Sequence, residues 1–412
     1  MGGSGRGLRE AAGRVERSKF QEERIRLHSE PPIPLLLLAR ELGQGGSERQ
    51  LAEIAKALDR SRFAVHVGCF HPEGFRSAEL AGEGIPIVHF PVHSLRSFSA
   101  VRGAWQLRQY IRRHGIRLVH TFDTPMNCFA VPAAWMFRVP VVISSQRASR
   151  RLSNRQEQLV LRVTDHLADA IVVNCEAMRR HMMEDEGVQG ELLRTCYNGL
   201  DTGRFQPLPK QRPAALEGAS LVIGVVCALR PEKGLPTLVE AFAKVVSGDR
   251  SDLRSGLRLA IVGSGPMLGK LQEMSVELGI QETCHFEPST ADVTAWLRAI
   301  DIFVLPSLSE ALSNSLMEAM ACGCAVVASA VGGNPELVSD GTNGLLFQAG
   351  NAAELAERLE RLIVDEDLRT RSGSESSNRV RQRFSREASV HRMQEIYDEL
   401  LGRNVTTAVR RP

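Results

Sequence analysis

Phe303-Val-Leu-Pro306-Ser307-Leu-Ser-Glu310-Ala-Leu-Ser313-Asn314-Ser315-Leu316-Met-Glu318-Ala-Met-Ala-Cys-Gly323 is the stretch on which the reading of this chain turns. Its opening apolar run reads as a buried strand stopped by Pro306, followed by a loop that carries Glu310. Ser313, Asn314 or Ser315 can cap a helix holding Glu318, with good formers at Leu316, Met317, Ala319 and Met320. Such a helix start is an anion site, because its free backbone N–H groups and its dipole suit a diphosphate. Asn314, Ser315 and Leu316 are therefore candidate nucleotide contacts, and the Glu318 carboxylate can accept two hydrogen bonds from a ribose diol. Two Glu eight positions apart arise by chance in a chain this long, so the surrounding strand, cap and helix carry the signal.

The chain has 412 residues, enough for two or three domains, and 43% apolar with 24% charged residues is the composition of a protein with a large core. Disorder throughout and a disulfide-stapled miniprotein are both excluded. The net charge of +3 supplies no chain-wide field for nucleic acid, so no nucleic-acid partner is expected. Eight scattered cysteines read as reduced, small hydrophobes; Cys322-Gly-Cys324 is a close pair with no second Cys or His pair at zinc spacing, and no metal site is expected. No apolar run reaches the roughly 18 to 20 residues of a membrane span, which makes a cytoplasmic location the default expectation.

Short apolar runs alternate with helical spacing from Ile33 onward: Leu35 to Ala39, Phe63 to Cys69, Ile85 to His89, Leu118 to Phe122, Val139 to Ile143 and Ala170 to Val173. Between the first two, Leu51, Ile54, Ala55 and Leu58 form one helical stripe. Three prolines, at 207, 209 and 213, mark an interdomain linker, after which the alternation resumes at Leu221 to Cys227, Leu257 to Val262, Thr283 to Phe286, Ile302 to Leu305, Ala325 to Ala328 and Gly344 to Phe347. The expected architecture is α/β, with two Rossmann-like, doubly wound domains facing one another across a cleft that holds the ligand. The boundaries are a tail at 1–31, a first domain at 32–205, a second at 206–384, a helix at 385–403 bracing the two, and a tail at 404–412. Val390, Met393, Ile396 and Tyr397 form the stripe of that last helix.

The quoted stretch, followed by Ala325-Val-Val-Ala-Ser-Ala-Val-Gly332-Gly333-Asn-Pro335-Glu336, resembles the retaining GT-B glycosyltransferases of family 4, over about residues 35 to 400. The resemblance implies a transfer of sugar from a UDP- or GDP-sugar to a hydroxyl of a lipid-linked sugar or growing polysaccharide, with anomeric retention and without a metal or other cofactor. It assigns Glu310 to donor-sugar hydroxyls and Glu318 to the nucleotide ribose. Gly43-Gln-Gly45-Gly46-Ser-Glu48-Arg49 is similar to the family's glycine loop near the acceptor, Pro231-Glu-Lys233-Gly234 to its diphosphate loop, and Gly263-Ser-Gly265 to its Gly-x-Gly turn.

Two positions depart from that pattern. Members carry an Arg where this chain has Ala228; Arg230 stands two residues later and, by the period-two repeat of a strand, faces the same way. Arg230 is therefore expected to share catalysis with Lys233 and Glu310. A His common after the fifth strand is replaced by Gln146-Arg147, leaving His120 and Asp123, with Gly45 and Gly46, as acceptor-side candidates. Eleven Arg between 101 and 165 meet three acids, so a peripheral contact of the first domain with the inner face of a membrane is expected if they share a face, while Trp105, Tyr110 and Ile111 are expected to pack on the sheet. Three alternatives stay open: a same-fold epimerase or hydrolase of nucleotide sugars, an NAD-dependent oxidoreductase reading Gly263-x-Gly265 with Glu287 as a dinucleotide fingerprint, and a non-catalytic binding protein.

Overall fold

The computed structural model describes residues 31–407 except 44, 149, 151–153, 210–211, 249–255 and 291, and the side chains among these up to 402. The expected tails at 1–31 and 404–412 fall almost wholly outside the described residues, as does Arg151.

The first sheet contains β1 (Ile33–Glu41), β2 (Phe63–His71), β3 (Ile87–His89), β4 (Leu118–Thr121), β5 (Val141–Gln146), β6 (Ala170–Val173) and β7 (Leu193–Thr195), in the order 3-2-1-4-5-6-7. The second contains β8 (Leu221–Val226), β9 (Leu257–Val262), β10 (Cys284–Glu287), β11 (Ile302–Leu305), β12 (Ala325–Ser329) and β13 (Leu345–Phe347), in the order 10-9-8-11-12-13. Every pairing between these strands is parallel. In each sheet the order reverses beside the first strand, at β1/β4 and β8/β11, and open α/β sheets bind ligands at such switch points.

Parallel strands are covered on both faces and so read as continuous apolar runs. In β1, Leu35 to Leu38 are all fully buried. Leu36 and Leu38 enter a core with Leu107, Met126 and Phe129, while Leu35 and Leu37 face Leu51, Ile54, Met393 and Tyr397 on the other side. The helix Arg386–Thr407 thus follows the second sheet in the chain but completes the core of the first. The chain crosses between the halves twice, side by side: Leu200 N–H donates to Phe384 O at 3.0 Å and Arg386 N–H to Leu200 O at 2.8 Å. No described helix is long and apolar enough to cross a membrane.

Two expectations about the first domain need correction. Not all of its eleven arginines can share an outer face: Arg147 turns into the cleft and Arg150 is buried against Asp165. Ile111 and Tyr110 do pack inward, but Trp105 is 56% exposed, because it stands half a turn away from the buried Leu107 and Ile111.

Candidate active site

Ser313 caps the helix Asn314–Ala321, its Oγ accepting from the Leu316 amide at 3.3 Å, which settles the choice among the three small polar residues. The helix starts at the carboxyl edge of the second sheet and faces the glycine loop after β1. A Cβ on Gly46 would come within 2.9 Å of Asn314 Nδ2, so the loop approaches that helix start as closely as a glycine allows. Between them lies a cleft of about 410 Å³ lined by Gly45, Gly46, Arg147, Asn198, Ala228, Arg230, Lys233, Glu310, Asn314 and Ser315, among others.

Three cations and one carboxylate therefore line the cleft. Lys233 Nζ donates to Glu310 Oε2 at 2.7 Å, and Ser307 Oγ donates to the same oxygen at 2.9 Å. Gly332, with φ +53°, presses so closely on the Glu310 carbonyl that a Cβ there would meet it at 1.8 Å; the Gly-Gly turn thus fixes the loop from behind. Ala228 and Arg230 both line the cleft while Leu229 between them is fully buried, although β8 has already ended at Val226, so the loop after the strand and not the strand period sets their direction. Arg230 is 65% exposed, with Glu232 3.8 Å away as its ion-pair partner.

Arg147 is the side chain that sequence reasoning missed. Burial pulls its guanidinium down to about 10, which still leaves it charged at neutral pH. It stacks over Phe122 at 5.2 Å and donates to Asn198 Oδ1 at 2.7 Å, while its buried Nε has no partner among the described residues. The signal was present in Gln146-Arg147 at the end of β5, but the absent His drew attention away from the Arg beside it.

Several expected residues lie elsewhere. Glu318 is one helical turn beyond Asn314, 7% exposed, and is engaged by Arg49 from the first domain. Leu316 is fully buried and its amide is already taken by the cap. Gly263 and Gly265, with φ of +144° and +159°, close on the Cys227 and Leu229 carbonyls instead of lining the cleft. Glu287 ends β10 and is paired with His285 at 3.0 Å. His120 is not at the cleft either: it is fully buried, with Nδ1 2.8 Å from the Tyr397 hydroxyl and Nε2 2.8 Å from Ser145 Oγ. Burial and the nearby Arg147 hold its imidazole well below its ordinary pKa, so it is a neutral strut. Asp123 caps the helix Thr124–Met136 and accepts from the Arg40 amide; burial raises its carboxyl to about 6.

The two halves are clasped around the cleft. Gln50 Nε2 and Asn198 Nδ2 from the first half both donate to Asn314 Oδ1 of the second, at 3.4 and 3.1 Å, and Gln50 is itself held by two hydrogen bonds with the Gly199 backbone, at 3.0 and 2.8 Å. Glu336, quoted above only as part of a motif, accepts from the amides of Glu176 and Ala177 and from the Tyr197 hydroxyl, so its carboxylate caps a helix of the opposite half. Among the described residues no group of three or more His, Cys, Asp or Glu could hold a metal ion.

Comparison with known proteins agrees with this geometry. Residues 44–204 match Glycosyltransferase Family 4 and residues 209–379 match Glycosyl transferases group 1. A D-inositol 3-phosphate glycosyltransferase of Thermobispora bispora is 30% identical over 301 residues, 71% of this chain and 67% of that protein. The lipopolysaccharide core biosynthesis glycosyltransferase LpsE of Rhizobium meliloti is 29% identical over 220 residues, covering 53% and 61%. The chain spans between about half and two thirds of the length of the inositol-phosphate relatives it matches. Among solved structures, HepE of Anabaena in complex with UDP has the same fold, with a TM-score of 0.75 at 23% identity over 89% of this chain and all of that one. Two parallel sheets meeting at their switch points, and matches on both sides of the linker, place this chain in the GT-B glycosyltransferases of family 4, the group 1 glycosyl transferases.

Proposed function

We propose that the protein transfers a hexose from a UDP- or GDP-sugar to a hydroxyl of a lipid-linked sugar or a growing polysaccharide, retaining the anomeric configuration and using no metal. The observation that carries this reading is the cleft itself, where Arg147, Arg230 and Lys233 surround a Ser-capped helix start with Glu310 among them. That is a charge pattern for a sugar diphosphate: cations and free amides for the phosphates, one carboxylate for sugar hydroxyls. The relatives named as inositol-phosphate and lipopolysaccharide glycosyltransferases, and the neighbour solved with UDP-glucose, support the donor class.

In this reading the bond between the anomeric carbon and the phosphate oxygen lengthens first, its electron pair passing to the diphosphate. Lys233, Arg230 and the amides after Ser313 stabilise that growing charge. The acceptor oxygen bonds to the anomeric carbon on the face the diphosphate leaves, and its proton goes to a leaving phosphate oxygen. Glu310 orients the sugar through its hydroxyls, and its contact with Lys233 couples sugar position to phosphate position. Glu318, one helical turn beyond the cleft-lining Asn314, receives the ribose in exchange for its contact with Arg49.

The test is a panel of UDP- and GDP-sugars with lipid-linked and saccharide acceptors, reading the product anomer by NMR. A product with inverted configuration overturns the stereochemical part. Sustained donor turnover with acceptor omitted overturns transfer in favour of hydrolysis or epimerisation.

A further inference from the structure

We propose that Arg147 and Asn174 form an anion subsite on the first-domain wall of the cleft, which takes a carboxylate or phosphate monoester carried by a sugar substrate in addition to the donor diphosphate. This deepens the transferase reading above and rests on it for the statement that the ligand is a sugar substrate.

The two residues leave the first sheet side by side. Gln146 and Val173 are paired at the ends of β5 and β6, and Arg147 and Asn174 follow them directly. Both line the cleft, on the half opposite to Arg230, Lys233 and Glu310.

Each carries a buried polar atom without a partner. Arg147 Nη1 donates to Asn198 Oδ1 at 2.7 Å, whereas the buried Nε makes no hydrogen bond among the described residues. Asn174 is 3% exposed, and its buried Oδ1 is likewise unpaired. Protein interiors pair such groups almost without exception, so a donor and an acceptor left open at adjoining strand ends in one cleft mark a place that a ligand completes.

Charge points the same way. Lys233 has Glu310 at 2.7 Å and Arg230 has Glu232 at 3.8 Å, whereas Arg147 has no acid in ion-pair contact among the described residues. Its neighbours are the Phe122 ring, the Asn198 amide, and the Cys196 thiol and Tyr397 hydroxyl, both of which burial keeps neutral. A desolvated guanidinium without a counter-charge is costly, and here the counter-charge arrives with the substrate.

The residue types select the ligand. Arg can grip a carboxylate or phosphate with two parallel hydrogen bonds, which a Lys cannot do, and Asn174 Oδ1 accepts from a hydroxyl beside that group. The ligand is therefore an anionic group flanked by sugar hydroxyls. Asn198 Nδ2 also donates to Leu312 O and Asn314 Oδ1, at 3.2 and 3.1 Å, so the guanidinium is fixed relative to the helix start across the cleft.

The test is calorimetry on the full-length protein in two arms. The donor arm compares UDP-glucuronate with UDP-glucose; the acceptor arm compares glucose 6-phosphate and glucuronate with glucose, in the presence of UDP. The wild type is expected to prefer the anionic member of one arm by at least about tenfold, and that arm identifies which substrate carries the group. Arg147→Met is expected to lose the preference and Arg147→Lys to keep part of it, with thermal unfolding as the control for folding. Equal affinity of the wild type for the anionic and neutral members of both arms overturns the proposal, whatever the variants do. So does a folded Arg147→Met protein that keeps the preference, or one that loses UDP as severely as the anionic sugar, which would assign the guanidinium to the diphosphate. Preference for glucose 6-phosphate or glucuronate by a wild type that binds no UDP would sink the transferase reading and leave the subsite standing.

Discussion

Arg49, on the helix Gly46–Ala57 of the first domain, grips the carboxylate of Glu318 on the Ser313-capped helix of the second, so that one ion pair joins the two halves. The side chains are 13% and 10% exposed, and the guanidinium also lies 5.1 Å over Phe205, beside the linker. Glu318 therefore has a partner of its own, and that partner comes from the opposite half of the molecule.

Removing one member strands the other with little water. Arg49→Leu is expected to destabilise the protein by roughly 3 kcal/mol in urea unfolding. Arg49→Leu/Glu318→Leu should cost clearly less than the two single changes added together, by about 1 kcal/mol or more. Simple additivity would show that the two groups do not act as a pair.

Lys233 stands against Glu310 at 2.7 Å and faces the cleft. Lys233→Ala should lower turnover by roughly a hundred- to a thousandfold, corresponding to about 3 to 4 kcal/mol of transition-state stabilisation, with the circular dichroism spectrum unchanged. Turnover at the wild-type level would remove Lys233 from the mechanism.

Arg150, 1% exposed, makes a two-pronged pair with Asp165, at 2.7 and 2.8 Å. Asp165→Ala leaves a guanidinium in the interior, offset in part by Glu186 at 3.8 Å, and is expected to cost about 3 kcal/mol of stability. Arg150→Met/Asp165→Leu should restore most of it, since a packed apolar pair replaces a desolvated ionic one. Thermal midpoints of the three proteins decide the matter.

Asp123 has its carboxyl raised by burial from 3.8 to about 6. Between those values the folded protein binds a proton that the unfolded chain has released, so this group's contribution is complete below about pH 4 and is lost as the pH rises through 6. The total is at most about 3 kcal/mol. Asp123→Asn keeps a side-chain oxygen for the Met126 amide, and it should flatten that part of the stability-versus-pH curve. An unchanged slope in the variant would show that another group titrates there.

Much of the fold was legible because parallel strands buried on both faces announce themselves as apolar runs: Leu35 to Leu38 and Ile302 to Leu305 need no partner to be recognised. The strand Leu193–Thr195 was not legible, since three residues, one of them Arg, carry no periodicity. The Lys233 side of the cleft could be read for a similar reason: a cap, a helix start and a Lys loop are each built within a few residues. His120 misled because position at a strand end says nothing about which way a ring turns. In the fold it faces Tyr397, 277 positions away.

By itself, the sequence determined two αβ-alternating halves, a proline-marked crossing between them, and a helix start after Glu310 capped by one of Ser313, Asn314 and Ser315, because hydrophobic period and capping act over neighbouring residues. Only the tertiary structure decided that Arg49 holds Glu318 across 269 positions, that Glu336 caps a helix of the other half, and that Arg147 rather than His120 enters the cleft. Such contacts depend on how two finished sheets pack and which side chains their packing buries, and no local pattern along the chain records that.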